Sequence, residues 1–106
     1  MPVLPWVGYT PKTWVQSMQW VGYTAFTNFL NYTALSVPVS TADPLLDQPG
    51  QAWKNHLPRN ASDAFNHRQY DIEMVKGMPV GVQIVSGRFG EEKAIAVAKV
   101  IKKLMA

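Results

Sequence analysis

The chain has 106 residues, which is enough for one small domain, and 47% of them are hydrophobic whereas only 16% are charged. This composition excludes a disordered chain, and the absence of cysteine excludes both a disulfide framework and a thiolate metal site. The net charge is +3, but four of the lysines gather near the C-terminus rather than among the aromatic residues, so we predict no nucleic-acid partner.

Residues 1–18 contain three prolines and two tryptophans without a clear period, so we predict an irregular segment with at most a short helix over residues 13–18. The first six residues lack a basic region and a long apolar run, and no signal peptide is expected. No apolar run approaches the roughly 18 residues needed to cross a bilayer. We therefore expect a cytoplasmic protein without a membrane span.

The first well-supported helix is predicted over residues 23–32. Phe26, Phe29 and Leu30 recur there at spacings of three and four residues and share one face. The asparagines of this segment are modest helix formers. Packing, rather than intrinsic propensity, is therefore expected to hold the helix.

Residues 34–40 alternate between apolar and polar side chains, which predicts a strand with Leu35, Val37 and Val39 on one face. Pro38 has no N–H to donate to a neighbouring strand. We therefore expect Pro38 to lie at a sheet edge, at a strand end or at a bulge.

Residues 41–76 are rich in proline, asparagine, aspartate and other turn formers, and they lack a sustained period. We predict a long excursion over a surface, with one short helix near residues 63–69. Connections of this length without secondary structure are uncommon inside compact domains. This length therefore indicates that residues 41–76 run across the surface of a larger structure.

Residues 77–106 read as strand, turn and helix. The strand is predicted over residues 78–86, the turn over residues 87–90 and the helix over residues 91–104. Two glutamates begin this helix and three lysines lie near its end, in agreement with the helix dipole. Its apolar positions cover more than one narrow stripe, so we expect it to contact a sheet and also a neighbour.

Two histidines, His56 and His67, lie in the long segment. Asp63 stands four residues before His67 and Asp71 four after it, a spacing that suits metal ligands only on a continuous helix. The prolines and asparagines nearby do not favour such a helix. We interpret both histidines as surface or loop residues and predict no metal site and no cofactor.

A Ser-His-Asp triad could be assembled from one of these histidines with Ser36 or Ser40 and with Asp43 or Asp47. No Gly-x-Ser-x-Gly motif places either serine on a nucleophile elbow. We regard an independent small hydrolase as the weakest hypothesis, and we assign no catalytic residue to the chain.

Three blocks in order resemble the C-terminal part of amidase signature enzymes, nearest to their acetamidase and fatty-acid-amide hydrolase branch. They are residues 22–39, the excursion that carries Asp43 and Asp47, and residues 77–93. In the third block a Gly-x-Pro-x-x-x-Gln strand and a Glu-Glu-Lys helix start stand together at the family's spacing, which makes it the most specific.

The resemblance implies an α/β fold, namely the C-terminal portion of an α/β/α layered mixed sheet. It also implies amide hydrolysis by a Ser–cis-Ser–Lys triad in a Gly/Ser-rich core. No Gly-Gly-Ser-Ser-Gly run is present here, so the triad transfers to no residue of this chain. By the same resemblance, Trp20, Val21, Thr24 and Ala25 are candidates for the wall of the substrate pocket.

The leading hypothesis is therefore the C-terminal fragment of an amidase, inactive alone. The predicted strand over residues 78–86 is apolar on both faces apart from Gln83, as a central sheet strand would be. Two strands and two helices cannot cover it, so we expect exposed apolar surface and marginal stability. Partners would be the remainder of the amidase domain or a second copy, and a small amide would bind only to the complete enzyme. The alternative is a non-catalytic α/β interaction module that binds a protein partner through its aromatic N-terminal half.

Overall fold

The computed structural model describes residues 1–2, 4, 6–16 and 21–106 of the chain. Within these residues, a two-stranded antiparallel sheet is accompanied by one long helix and five short helices. The helices are α1 (Pro11–Gln16), α2 (Ala25–Leu30), α3 (Gln51–Lys54), α4 (Ala61–His67), α5 (Ile72–Val75) and α6 (Glu91–Leu104), and the strands are β1 (Thr33–Thr41) and β2 (Pro79–Ser86). The fold is thus a small mixed α/β arrangement.

Both predicted strands are confirmed. β1 pairs with β2 from Thr33 opposite Ser86 onward, and the register shifts between Pro38 and Ser40. The proline therefore lies beside a bulge, as its missing N–H predicts. Side chains along β1 alternate in exposure, and Val37 is buried.

The helix predicted over residues 91–104 is confirmed as α6. Ala94, which is 1% exposed, lies on the face of α6 that packs against both strands. The turn before it brings Gly90 so close to Ser86 that any β-carbon would collide with the serine hydroxyl. The residue that immediately precedes this helix must therefore be glycine.

The excursion over residues 41–76 is more regular than the sequence predicts. It contains α3 and α5, which were not expected, and α4 begins two residues before the predicted helix. Side-chain caps explain the starts of α4 and α5: Asn60 accepts a hydrogen bond from the Asp63 amide at 2.9 Å, and Asp71 accepts from the Glu73 amide at 3.0 Å. Local capping thus forms helical turns that have no apolar period.

The two N-terminal helices differ from expectation mainly at their ends. α1 begins at Pro11, two residues before the predicted helix, and residues 17 and 18 lie outside the described residues. α2 is shorter than the predicted helix over residues 23–32, because Asn31 adopts a left-handed conformation with φ of 55°. Asparagine tolerates this conformation better than most residues do, so it ends the helix.

The core of the described residues is thin. Its buried apolar side chains are Val37, Ala42, Val75 and Ala94. Val97, Val100 and Leu104 on α6 are 46%, 58% and 79% exposed, which confirms the predicted exposure of apolar surface. In the described ranges, no helix has both the length and the apolar character that crossing a membrane requires.

Candidate functional site

An open cleft of about 230 Å³ lies between the N-terminal segment and the long excursion. It is lined by Trp6, Ala52, Trp53, His56, Asp63, Asn66 and His67, and we call it the histidine cleft. Most of these side chains come from α3, α4 and the connection between them. The sequence places both histidines in this segment but does not bring them together.

The N-terminal segment is fastened to α4 through one asparagine. Trp6 donates from its indole nitrogen to the Asn66 carbonyl oxygen at 2.9 Å, and the Tyr9 hydroxyl donates to Asn66 Oδ1 at 3.2 Å. Partial burial raises the pKa of Tyr9, because the phenolate would lose hydration. These two aromatic residues therefore contact their own chain rather than standing free for another molecule.

His56 and Asp63 form an imidazole–carboxylate pair at one side of the cleft. His56 donates from Nε2 to Asp63 Oδ2 at 3.1 Å, and the same oxygen accepts from the Arg59 backbone amide at 2.9 Å. The Arg59 hydrogen bond is the main reason why the pKa of Asp63 lies below its ordinary value, and His56 adds to this lowering. The ionised carboxylate is thus held by two donors.

The second histidine belongs to an aromatic stack. The rings of Trp53 and His67 lie 4.3 Å apart, and His67 donates from Nε2 to the Trp53 carbonyl oxygen at 2.8 Å. The rings of His56 and His67 lie 5.0 Å apart. Both imidazoles therefore have Nε2 engaged with an oxygen of the chain, which fixes their orientation.

Trp53 presents an unusual polar group. Its indole nitrogen is buried and finds no acceptor among the described residues. A buried donor without a partner is destabilising by about 1–3 kcal/mol, and native proteins rarely retain one. An acceptor supplied from outside the described residues would remove this penalty.

The histidine cleft contains a general base and its orienting carboxylate, two of the three groups of a nucleophilic triad. The His56–Asp63 pair has the geometry of a base and the group that orients it, but none of the described residues that line the cleft is a serine, threonine or cysteine. The Ser-His-Asp triad considered from the sequence is not formed, because its candidate serine and aspartates make other hydrogen bonds. Asp47 instead accepts from the Asp43 amide at 2.7 Å, and the Ser40 hydroxyl donates to the Thr41 carbonyl at 3.5 Å.

The acidic residues near His67 do not converge on it. Asp63 binds His56, whereas Asp71 caps α5 by accepting from the Glu73 and Met74 amides. In the part of the chain that the structure describes, no three histidine or acidic side chains are grouped as metal ligands.

Of the predicted pocket-wall residues, Val21, Thr24 and Ala25 lie at the start of α2, and none of these three lines the histidine cleft. Trp20 is outside the described residues. The Val21 carbonyl accepts from the amides of Thr24 at 3.0 Å and Ala25 at 2.8 Å, so these residues form one tight turn. Val21 is 45% exposed and Ala25 is also exposed. Their role in substrate binding remains a prediction.

Gln83 connects this turn to the sheet. Its side chain is 5% exposed and donates to the Tyr23 carbonyl at 2.6 Å and to the Pro2 carbonyl at 2.9 Å. Both hydrogens of the amide nitrogen are therefore used inside the chain. Sequence reasoning noted Gln83 as the polar exception in β2, but it did not predict that this residue holds the candidate pocket wall.

No family model matches the chain, but the chain is similar in sequence to several fungal proteins named amidase or acetamidase. The chain is 47% identical over 83 residues to a protein of Gibberella moniliformis named Amidase 2 and 38% identical over 105 residues to one named Amidase 1. It is 34% identical over 98 residues to the acetamidase of Emericella nidulans. These matches cover 78%, 99% and 91% of this chain but only 16%, 19% and 17% of the relatives. The chain thus spans less than a fifth of the length of these relatives.

Proposed function

Because the chain matches one portion of larger fungal amidases, we propose that it forms the C-terminal part of an amidase domain of the amidase signature type. The proposed parts are an aromatic lead-in over residues 1–18, a surface excursion over residues 41–76 and a strand-turn-helix unit over residues 77–106. The observation that carries this proposal is 38% identity across 99% of the chain and only 19% of the relative.

We assign the bond-breaking step to the part of the complete enzyme outside this chain. By resemblance, a serine would attack the amide carbonyl while a lysine takes its proton through a bridging cis-serine. The amine would then leave, water would hydrolyse the acyl-enzyme, and backbone amides would stabilise the oxyanion. The sequence here contains no matching Gly/Ser-rich run, so we propose that the chain alone is inactive.

Within the complete enzyme, this chain would supply one wall of the substrate pocket. The candidates are Trp20, Val21, Thr24 and Ala25. Gln83 supports this assignment indirectly, because its hydrogen bond to the Tyr23 carbonyl attaches the turn to β2. An exposed turn that is anchored to a sheet can present side chains to a ligand in a fixed geometry.

Two features of the described residues support completion by a larger domain. The exposed stripe of Val97, Val100 and Leu104 on α6 lies beside the face that packs on the sheet. The buried indole nitrogen of Trp53 needs an acceptor that the described residues do not supply. A layered α/β/α domain with a larger mixed sheet would cover the exposed stripe on α6 and would offer acceptors for the Trp53 indole nitrogen. The cytoplasmic location expected from the sequence remains a prediction.

A chimera tests the proposal. The matching portion of Amidase 1 would be replaced by this chain, and ammonia release from acetamide would be measured, since some relatives are named acetamidases. We expect the chimera to hydrolyse the amide and this chain alone to be inactive. A chimera carrying an unrelated α/β segment of equal length is the control. A folded chimera with no more activity than this control would contradict the proposal.

A protein-binding module is the second candidate, because the exposed stripe on α6 would also suit a protein partner. The same chimera separates the two functions. A module that evolved for a separate partner would not restore hydrolysis when it is placed in the amidase.

A further inference from the structure

The edge of β2 that faces away from β1 carries the beginning of another strand. The Gln83 amide donates to the Met1 carbonyl at 2.7 Å, and the Met1 nitrogen donates to the Gln83 carbonyl at 3.1 Å. Pro2 forms an antiparallel bridge with Val82. Residues 1–2 thus pair with β2 on the side opposite to β1.

This register fixes where further pairing would occur. In an antiparallel ladder, each step backward from Met1 corresponds to one step forward along β2, and the peptide groups that face one edge belong to alternate residues. Gln83 faces the outer edge, so the next residue that does so is Val85. The residue opposite Val85 would be the second one before Met1.

The other edge of the sheet is poorly suited to extension. Pro38 lies opposite Gly81, and Gly81 directs its peptide groups to the same side as Gln83. Pro38 must therefore face away from β2, where it offers no N–H, and the bulge follows directly. Growth of the sheet is thus favoured beyond β2 rather than beyond β1.

We propose that the polypeptide preceding residue 1 in the complete amidase continues as a strand along residues 84–86 and exchanges backbone hydrogen bonds with Val85. This inference rests on the proposed function, since more than four fifths of each matched relative lies outside the portion that this chain covers. The new strand would make β2 an interior strand, as its intermediate burial along most of its length suits.

A disulfide in the chimera with Amidase 1 tests the register. One cysteine would be placed two residues before Met1, and the other would be introduced as Val85→Cys. Directly opposed residues of such a pair have α-carbons about 5.5 Å apart, within the range that a disulfide can bridge. This chain has no cysteine of its own, and those of the relative's portion would be replaced by serine.

The matched control is Ile84→Cys with the same upstream cysteine, because neighbouring strand residues point to opposite faces. We expect mild oxidation to cross-link the Val85→Cys chimera and to leave the Ile84→Cys chimera largely reduced. Equal cross-linking of both, or of neither while the chimera is folded, would overturn the proposed pairing.

A second measurement uses the 106-residue chain itself. Four alternating valine and threonine residues added before Met1 should slow hydrogen exchange of the Val85 amide on the order of ten-fold, whereas a Gly-Pro extension of equal length should not. An unchanged rate with both extensions would contradict the inference. Cross-linking without amide hydrolysis would support the strand pairing but refute the proposed function. Hydrolysis without cross-linking would support the proposed function but refute the strand pairing.

Discussion

The side-chain amide of Gln83 donates a hydrogen bond of 2.6 Å to the backbone carbonyl of Tyr23, which lies 60 residues earlier in the chain. The same nitrogen donates to the Pro2 carbonyl at 2.9 Å. One buried side chain therefore joins β2 to two segments that are distant from it in sequence. Its two hydrogen bonds help to hold Pro2 and Tyr23 against the sheet.

Replacing Gln83 by leucine should destabilise the chain by about 2 kcal/mol. The substitution nearly keeps the volume but removes both side-chain hydrogen bonds of the buried Gln83, and each lost hydrogen bond typically costs about 0.5–1.5 kcal/mol. Urea unfolding, in the chain and in the chimera with Amidase 1, measures the effect.

Gln48→Leu is the matched control for this prediction. Gln48 also donates from its side chain to a carbonyl, that of Pro44 at 2.6 Å, but it is exposed. Water can replace its hydrogen bond, so we expect a change within about 0.5 kcal/mol. Equal losses of stability at both positions would show that the buried hydrogen bonds of Gln83 have no special role.

Acidification should loosen the start of α4 through Asp63. The pKa of Asp63 is lowered in the folded chain, mainly by the Arg59 amide and further by His56. Its contribution to stability is therefore present above its ordinary pKa of about 3.9 and is lost as the pH falls through the lower folded value. A titration of the Asp63 carboxyl by NMR should show that depressed pKa directly.

Two variants check the assignment of this pH dependence. Asp63→Asn should remove the part of the acid-induced loss of stability that arises from this carboxyl. Asn60→Ala should destabilise the helix by about 1 kcal/mol at every pH, because its side chain caps the Asp63 amide but does not titrate. An unchanged acid response in Asp63→Asn would refute the role given to this carboxylate.

The sequence predicts the elements that have a strong local period. α6 has its helical pattern, its two N-terminal glutamates and its C-terminal lysines within one continuous stretch, and its observed bounds match the prediction. β1 is predicted equally well, because its alternation and the proline agree with an edge strand. Local information is sufficient where the burial pattern repeats along the segment.

The histidine cleft could not be predicted in the same way. His56 and Asp63 are seven residues apart across a connection without a period, and their contact depends on how α3 and α4 meet. α3 and α5 have four residues each, which is too short for any helical period to appear. The pairing of Met1 with Gln83 spans 82 residues and leaves no local pattern in either segment.

The predicted pocket wall can be tested at Ala25 in the chimera. Ala25 is exposed, so Ala25→Trp should leave the unfolding midpoint nearly unchanged while its bulk narrows the substrate pocket. We expect KM for acetamide to rise on the order of ten-fold, with a smaller change in kcat. Steady-state kinetics of ammonia release measure both constants.

Phe29 provides the control for the pocket wall, because it is also exposed on α2 but is not among the proposed wall residues. Phe29→Ala should leave KM within about two-fold of the unmodified chimera, as surface changes distant from a site usually do. Similar effects on KM at both positions would indicate that α2 as a whole, rather than the turn at its start, affects binding.

The exposed stripe on α6 should govern how the chain associates. Val97, Val100 and Leu104 recur at spacings of three and four residues, so they form one stripe beside the packed face that contains Ala94. Burying a valine or leucine side chain stabilises a contact by about 1.5–3 kcal/mol. Val100→Lys should therefore weaken docking of this chain onto a separately expressed remainder of Amidase 1 by at least ten-fold in Kd.

Lys99→Gln, one position away on the exposed surface of α6, should leave Kd nearly unchanged. Analytical ultracentrifugation of the chain alone measures its self-association, and titration with the remainder of Amidase 1 measures the Kd of docking. If Val100→Lys binds as tightly as the unmodified chain, this stripe does not form the contact surface.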